Sequence, residues 1–323
     1  MDWAAIRGLE PLWAHSTFRA PAAPLSHHDR MLLALLGLGL GQVLERLHHD
    51  RPEWAEFSGW IEATVGRPDP VEIARYHAAL DGLPPPPEAL ARIAAIETAP
   101  PALDPDEMAQ WHRDGFVVLR GALSRAEADA AAQVLWRHIA ASPDVPESWY
   151  APPAKGLWFP LWQAPELDAV RRSPRVQKAF AQIWGTADLW VQHDRMSFNQ
   201  PVRHDCPFMG SALHIDTSLA PPMPLGTQAI VYLTDTPPDR GALQVVPGFH
   251  RDFDQWMAGL NGADPRSVDL TADAIPVPGA AGDMVIWHHA LPHGATPNQG
   301  DFPRIVQYLN LFPAGPIDDR PWI

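Results

Sequence analysis

The sequence predicts a helical N-terminal region followed by an antiparallel β-barrel or sandwich with helices packed outside it. Three observations lead there. From Ser26 to Leu80 apolar residues recur at helical spacing. Proline clusters at Pro84–Pro87 and Pro100–Pro101 then interrupt the pattern. From Leu189 onward short β-like runs alternate with turn residues. The domain boundary is therefore expected near residue 100, giving a helical extension over 1–100 and a mainly β domain with flanking helices over 101–323.

Within the first region Met31, Leu32, Leu35, Leu36, Val43, Leu44 and Leu47 are apolar on nearly every side of their helix, so it needs cover from neighbours. Gly37, Gly39 and Gly41 lack a preceding strand and the spacing of a nucleotide-binding loop, and are read as close packing. A short helix is expected over Glu88–Glu97 between the two breaks. Asp104-Pro105-Asp106-Glu107 supplies an N-cap with proline at the first helical position, and that helix should end at Gly115. A strand, Phe116–Leu119, follows. Ser124 and Glu127 form a capping box for a helix running to about Ala141. The later strands are expected at Leu189–Phe198, Ala229–Leu233, Leu243–Val246, Met284–Trp287 and Ile305–Phe312.

Composition removes several function classes. The formal charge of −14, from 24 basic and 38 acidic residues, repels phosphate backbones and anionic headgroups, so neither nucleic acid nor a membrane surface is expected as partner. The apolar stretch Met31–Leu44 falls short of the ~20 residues that cross a bilayer. The opening Met-Asp-Trp-Ala-Ala-Ile-Arg lacks the order of a secretory signal, and the single Cys206 excludes an intramolecular disulfide and a thiolate zinc site. A cytoplasmic address is expected. The 14 tryptophans fit an aromatic-lined cleft or bulky core packing equally well.

The chemistry resides in the β region. In His214-Ile215-Asp216 residues two apart project from one face of an extended strand, so both side chains can reach one metal. The third ligand has two candidates, His288 and His293, near the end of a later strand. His293 is preferred because Pro292 and Gly294 place it at a strand end. Two histidines and a carboxylate on one face of an octahedral metal leave three positions open, the arrangement of non-haem Fe(II) oxygenases. Arg304, eleven residues after His293, suits the far carboxylate of an α-keto acid because its planar fork binds carboxylates through two bonds. Tyr308 or Asn310, on the same strand face, could add a polar contact.

Several elements together resemble the phytanoyl-CoA dioxygenase family of Fe(II)/2-oxoglutarate-dependent oxygenases. They are Asp114-Gly115-Phe116-Val117-Val118-Leu119, His214-Ile215-Asp216, Gly241-Ala242-Leu243 leading to Pro247-Gly248-Phe249-His250, Gly282-Asp283, His288, His293-Gly294, Asn298 and Arg304. They extend over residues 104–313. The resemblance implies a double-stranded β-helix of the jelly-roll or cupin type, His214, Asp216 and His293 as iron ligands, and Arg304 as the 2-oxoglutarate anchor. It implies Fe(II), 2-oxoglutarate and O2 as cofactor and co-substrates, with succinate and CO2 released. Phe249 and Ala295 depart from the family, which often carries hydroxyl residues there, and Gln192 and Asn199 are candidate replacements for the lost contacts. Because Asp216 is present, unlike the small residue of related halogenases, hydroxylation of an unactivated C–H in a small molecule or peptide is expected.

The remaining candidates have plainer readings. His193-Asp194 are adjacent in a strand and point to opposite faces. His204 and Asp205 read as a solvated loop. Trp158, Phe159 and Trp162 could be a substrate wall or core beneath a loop, and Arg171-Arg172 could meet an anion or face water. The competing functions are a non-catalytic barrel and a Zn(II) or Mn(II) enzyme of the same fold, in which Arg304 has no evident purpose.

Overall fold

Local chemistry sets the helix ends in the β-rich half. The Asp104 carboxylate accepts the Glu107 amide, the Glu107 carboxylate accepts the Asp104 amide, each at 2.8 Å, and the helix Pro105–Asp114 follows. Gly115 ends it at φ 77, a left-handed conformation that glycine adopts at little cost. A Cβ there would lie 2.5 Å from Nδ1 of His250. Ser124 and Glu127 make the same reciprocal cap for the helix Arg125–His138, and such caps contribute about 1 kcal/mol.

The computed structural model describes residues 1–154, 157–210, 212–315, 318 and 320–323. Two compact units emerge: Met1–Pro101 with Gln177–Asp194 and Asn310–Ile317, and Ala102–Val176 with Arg195–Leu309 and Asp318–Ile323. In the first, Leu9, Leu32, Val43, Phe57, Ile61 and Trp190 share one apolar core. Arg75 packs its guanidinium 4.0 Å from the Trp190 ring centroid and donates to Asp188 at 2.9 Å and to the Leu189 carbonyl at 2.8 Å. Gly37 closes the helix His27–Leu36 at φ 70, and Gly39 pairs through its backbone with His193. Among the described residues no helix is long and apolar enough to cross a membrane.

Among the described residues nine strands follow in chain order: β1 (Phe116–Leu119), β2 (Trp158–Phe159), β3 (Leu189–Asn199), β4 (Thr227–Tyr232), β5 (Leu243–Val245), β6 (Ile275–Val277), β7 (Met284–His288), β8 (His293–Ala295) and β9 (Arg304–Pro313). They form a six-stranded sheet ordered β1-β7-β4-β9-β3-β2 and a three-stranded sheet ordered β6-β5-β8. The expected runs match β1, β3, β4, β5, β7 and β9 within two residues. β2, β6 and β8 are short, and in Ile275–Val277 and His293–Ala295 a proline and a glycine at the centre break the apolar pattern that marks the equally short β5. Among the described residues helix accounts for 42% and strand for 17%, so helices supply most of the ordered mass.

Alternation decides which side chains enter the second unit's core. Ile230 and Tyr232 of β4, Val285 and Trp287 of β7, and Val306 of β9 share one apolar cluster with Leu243 and Val245 of β5 and Val277 of β6. The two sheets therefore face one another, as in a double-stranded β-helix. The Tyr232 hydroxyl fastens them, donating to the Val277 carbonyl at 2.7 Å and accepting from the Leu243 amide at 2.9 Å.

Candidate metal and keto-acid site

His214 lies beside β8 because its amide and carbonyl exchange hydrogen bonds with those of His293, both at 3.0 Å. That bridge brings the two imidazole centroids to 4.6 Å. Asp216, two residues on, returns to the same cluster. Its Oδ1 is 3.6 Å from His214 Nε2 and its Oδ2 is 3.4 Å from His293 Nε2. One ligand atom from each of the three lies within 4.8 Å of the others.

The protonation pattern suits a cation. Nδ1 of His214 meets the Ala212 carbonyl and Nδ1 of His293 meets the Leu291 carbonyl, each at 3.0 Å. A carbonyl only accepts, so each Nδ1 carries hydrogen and Nε2 is the atom whose lone pair a metal would use. When His293 carries a proton on Nε2, its hydrogen bond leads in holding the Asp216 carboxyl well below the usual range, and loss of that proton frees the lone pair for a metal. Burial opposes the shift, while the charge on protonated His293, the Gln228 hydrogen bond and His214 act with it. Asp216 is thus anionic, as a candidate metal ligand should be. His293 is buried, whereas the Asp216 side chain is 53% exposed, so the cluster opens on the aspartate side.

Arg304 is 1% exposed. Its Nη2 donates to Ser197 Oγ at 3.3 Å, and its Nε has no partner. Among the described residues no carboxylate pairs with it. A buried cation without a counter-charge is costly. Ser197 stands opposite Trp158 in the β2–β3 register, so the two share a face. Trp158 nevertheless is 45% exposed. Its ring lies 5.0 Å from Tyr308 and 4.8 Å from the Arg195 guanidinium.

The other sequence candidates are distributed as follows. Asn199 is buried and donates to the Thr296 carbonyl at 3.1 Å. Gln192 belongs to the first unit and has the opposite strand parity to Ser197 and Asn199. Phe159 is core, edge-on to Phe198, and thereby parts company with Trp158. Arg172 is exposed, but Arg171 is 3% exposed and bonded to Asp168 rather than facing water. His204 and Asp205 are exposed in their loop. Gln228, Trp287 and Ser197 were not singled out by the sequence. A polar residue inside the apolar run Thr227–Tyr232 is the signal that points to Gln228.

His288 is on the opposite face of β7 from Trp287 and outside the metal cluster. It stacks 5.1 Å from His250, lies near Trp111, and accepts the Ala290 amide through Nδ1 at 3.1 Å. Burial, then the neighbouring His289 and His250, push its pKa down to about 3. The unfolded chain binds this proton more readily. The stability contribution is whole above pH 6.5 and is lost as pH falls towards 3, at up to ~1.4 kcal/mol per pH unit. Urea unfolding should show that acid slope in the natural chain and a shallower one in His288→Gln; identical slopes would remove His288 as the source.

Residues 111–306 match the phytanoyl-CoA dioxygenase (PhyH) family. The chain belongs to that family. Enzymes of the phytanoyl-CoA dioxygenase family use Fe(II), 2-oxoglutarate and O2. The chain is 22% identical over 189 residues to a Dictyostelium discoideum protein described as a phytanoyl-CoA dioxygenase, covering 46% of this chain and 54% of that one. It therefore spans about half of that relative's length. It is 25% identical over 234 residues to the ectoine dioxygenase of Bordetella parapertussis, covering 64% and 75% respectively. The solved structure of the GlcNAc inducible gene 2 product of Candida albicans shares the fold, with a TM-score of 0.50 at 15% identity over 66% of this chain and 64% of that one.

Proposed function

We propose that this chain is an Fe(II)- and 2-oxoglutarate-dependent dioxygenase that hydroxylates an unactivated C–H of a small-molecule or peptide substrate, with release of succinate and CO2. The observation that carries the proposal is Arg304, a buried guanidinium with one neutral hydrogen-bond partner and an unpartnered Nε. The far carboxylate of 2-oxoglutarate supplies the missing charge and acceptors in one group.

The donor set fits the metal half of the reading. Two neutral imidazole nitrogens and one carboxylate within 4.8 Å are the two-histidine, one-carboxylate arrangement that suits Fe(II) and leaves positions for other ligands. When bound, the iron supplies oxygen activation coupled to oxidative decarboxylation of the keto acid. The protein's part is placement. His214 and His293 present Nε2 because their Nδ1 hydrogens are committed to backbone carbonyls. Asp216 fills the third protein position as an anion, which favours hydroxylation over halide transfer. Arg304 orients the co-substrate.

Anaerobic addition of Fe(II) and 2-oxoglutarate to the purified chain should produce a visible metal-to-ligand charge-transfer band that neither component gives alone. Absence of the band would sink the proposal. On admission of oxygen, succinate should form, and activity that continued without oxygen would point to a hydrolytic metal instead.

A further inference from the structure

Gln228 of β4 and Trp287 of β7 stand directly opposite one another, and their side chains continue to Asp216. The Trp287 indole N–H donates to Gln228 Oε1 at 3.1 Å, and Gln228 Nε2 donates to Asp216 Oδ2 at 2.9 Å. The order cannot be reversed. An indole nitrogen only donates, so it selects the oxygen end of the amide and turns the NH2 end towards the carboxylate. The same indole ring lies 5.2 Å from the His293 ring and is 2% exposed. One buried side chain therefore bears on two of the three candidate ligands.

We infer that Trp287 and Gln228 are positioning residues that restrict Asp216 to ligation through a single oxygen. The inference rests on the metal site proposed above and adds a constraint to it. Three protein ligands leave three of six octahedral positions, two for the keto acid and one for dioxygen. A carboxylate gripping through both oxygens would take a fourth. A hydrogen bond to an ionised oxygen is among the stronger kinds, and holding Oδ2 in this way leaves Oδ1 as the freer donor. Partners of ligands commonly alter metal affinity by 10- to 100-fold.

Co(II) serves as the probe, because its visible spectrum reports coordination number without turnover. Trp287→Phe removes the N–H donor and keeps a ring against His293. Gln228→Leu removes the amide at a partly exposed position, where folding is less at risk. Each variant should bind Co(II) about 10-fold more weakly than the natural chain and show altered band intensity. The double variant should lose no more than Gln228→Leu alone, because the indole acts through the amide. A purely structural role would lower the melting temperature and leave the Co(II) spectrum unmoved. Unchanged affinity and spectrum in both single variants, or additive losses in the double, would overturn the inference while leaving the metal site standing. Failure of the natural chain to bind Co(II) would overturn the metal site and this inference together.

Discussion

Replacing Arg304 by alanine should weaken 2-oxoglutarate binding by about 100-fold or more while Fe(II) affinity stays within about twofold. The magnitude follows from the roughly 2–5 kcal/mol lost when one partner of a buried charge pair is truncated. The selectivity follows from position: Arg304 bonds Ser197, not any of the three candidate ligands. The stability result should run against the usual rule for buried residues. Without the co-substrate the guanidinium is a buried cation lacking a counter-charge, so the variant should melt no lower than the natural chain despite the lost packing. Adding 2-oxoglutarate with Fe(II) should raise the melting temperature of the natural chain and not that of the variant. Anaerobic titration of the charge-transfer band measures the affinity; equal loss of iron and keto acid would refute the assigned role.

Asp216→Ala should have the second large effect, lowering Fe(II) affinity by more than about 100-fold, beyond what partners outside the ligand set usually contribute. The carboxylate is the only anionic member of the cluster and is half-exposed, so its removal takes away charge without opening a core. The melting temperature measured without metal should change little. Fe(II) binding like that of the natural chain, in a folded Asp216→Ala protein, would remove the aspartate from the ligand set. The contrast with Trp287→Phe is informative, since that change leaves all three ligand side chains in place and alters only how one of them is held.

Both predictions draw on features of unequal legibility. The helix caps at Asp104 and Ser124 depend on residues three apart, and the strands on a period of two, so both were readable from neighbouring positions. The shared face of His214 and Asp216 is the same kind of local fact. Choosing between His288 and His293 was different, because it depends on which face of β7 turns inward. The structure puts Val285 and Trp287 in the core and leaves His288 on the other face. Gln192 and Asn199 looked comparable on one strand, yet they differ in parity and belong to different units.

What the sequence determined by itself was therefore local: cap chemistry, strand parity, the pairing of a histidine with an acid two residues on, and a charge balance unsuited to polyanions. Its resemblance to the phytanoyl-CoA dioxygenase family added the expected roles. Tertiary structure alone decided which distant residues meet. Gln228 and Trp287 are far apart in the chain, and only the β4–β7 register sets one against the other, leaving Gln228 to reach Asp216. The isolation of Arg304 from any carboxylate among the described residues is likewise a property of everything packed around it. So is the grouping of residues 177–194 and 310–317 with the N-terminal helices. Periodicity reports the face a side chain takes on its own element; sheet register and packing determine what stands opposite that face.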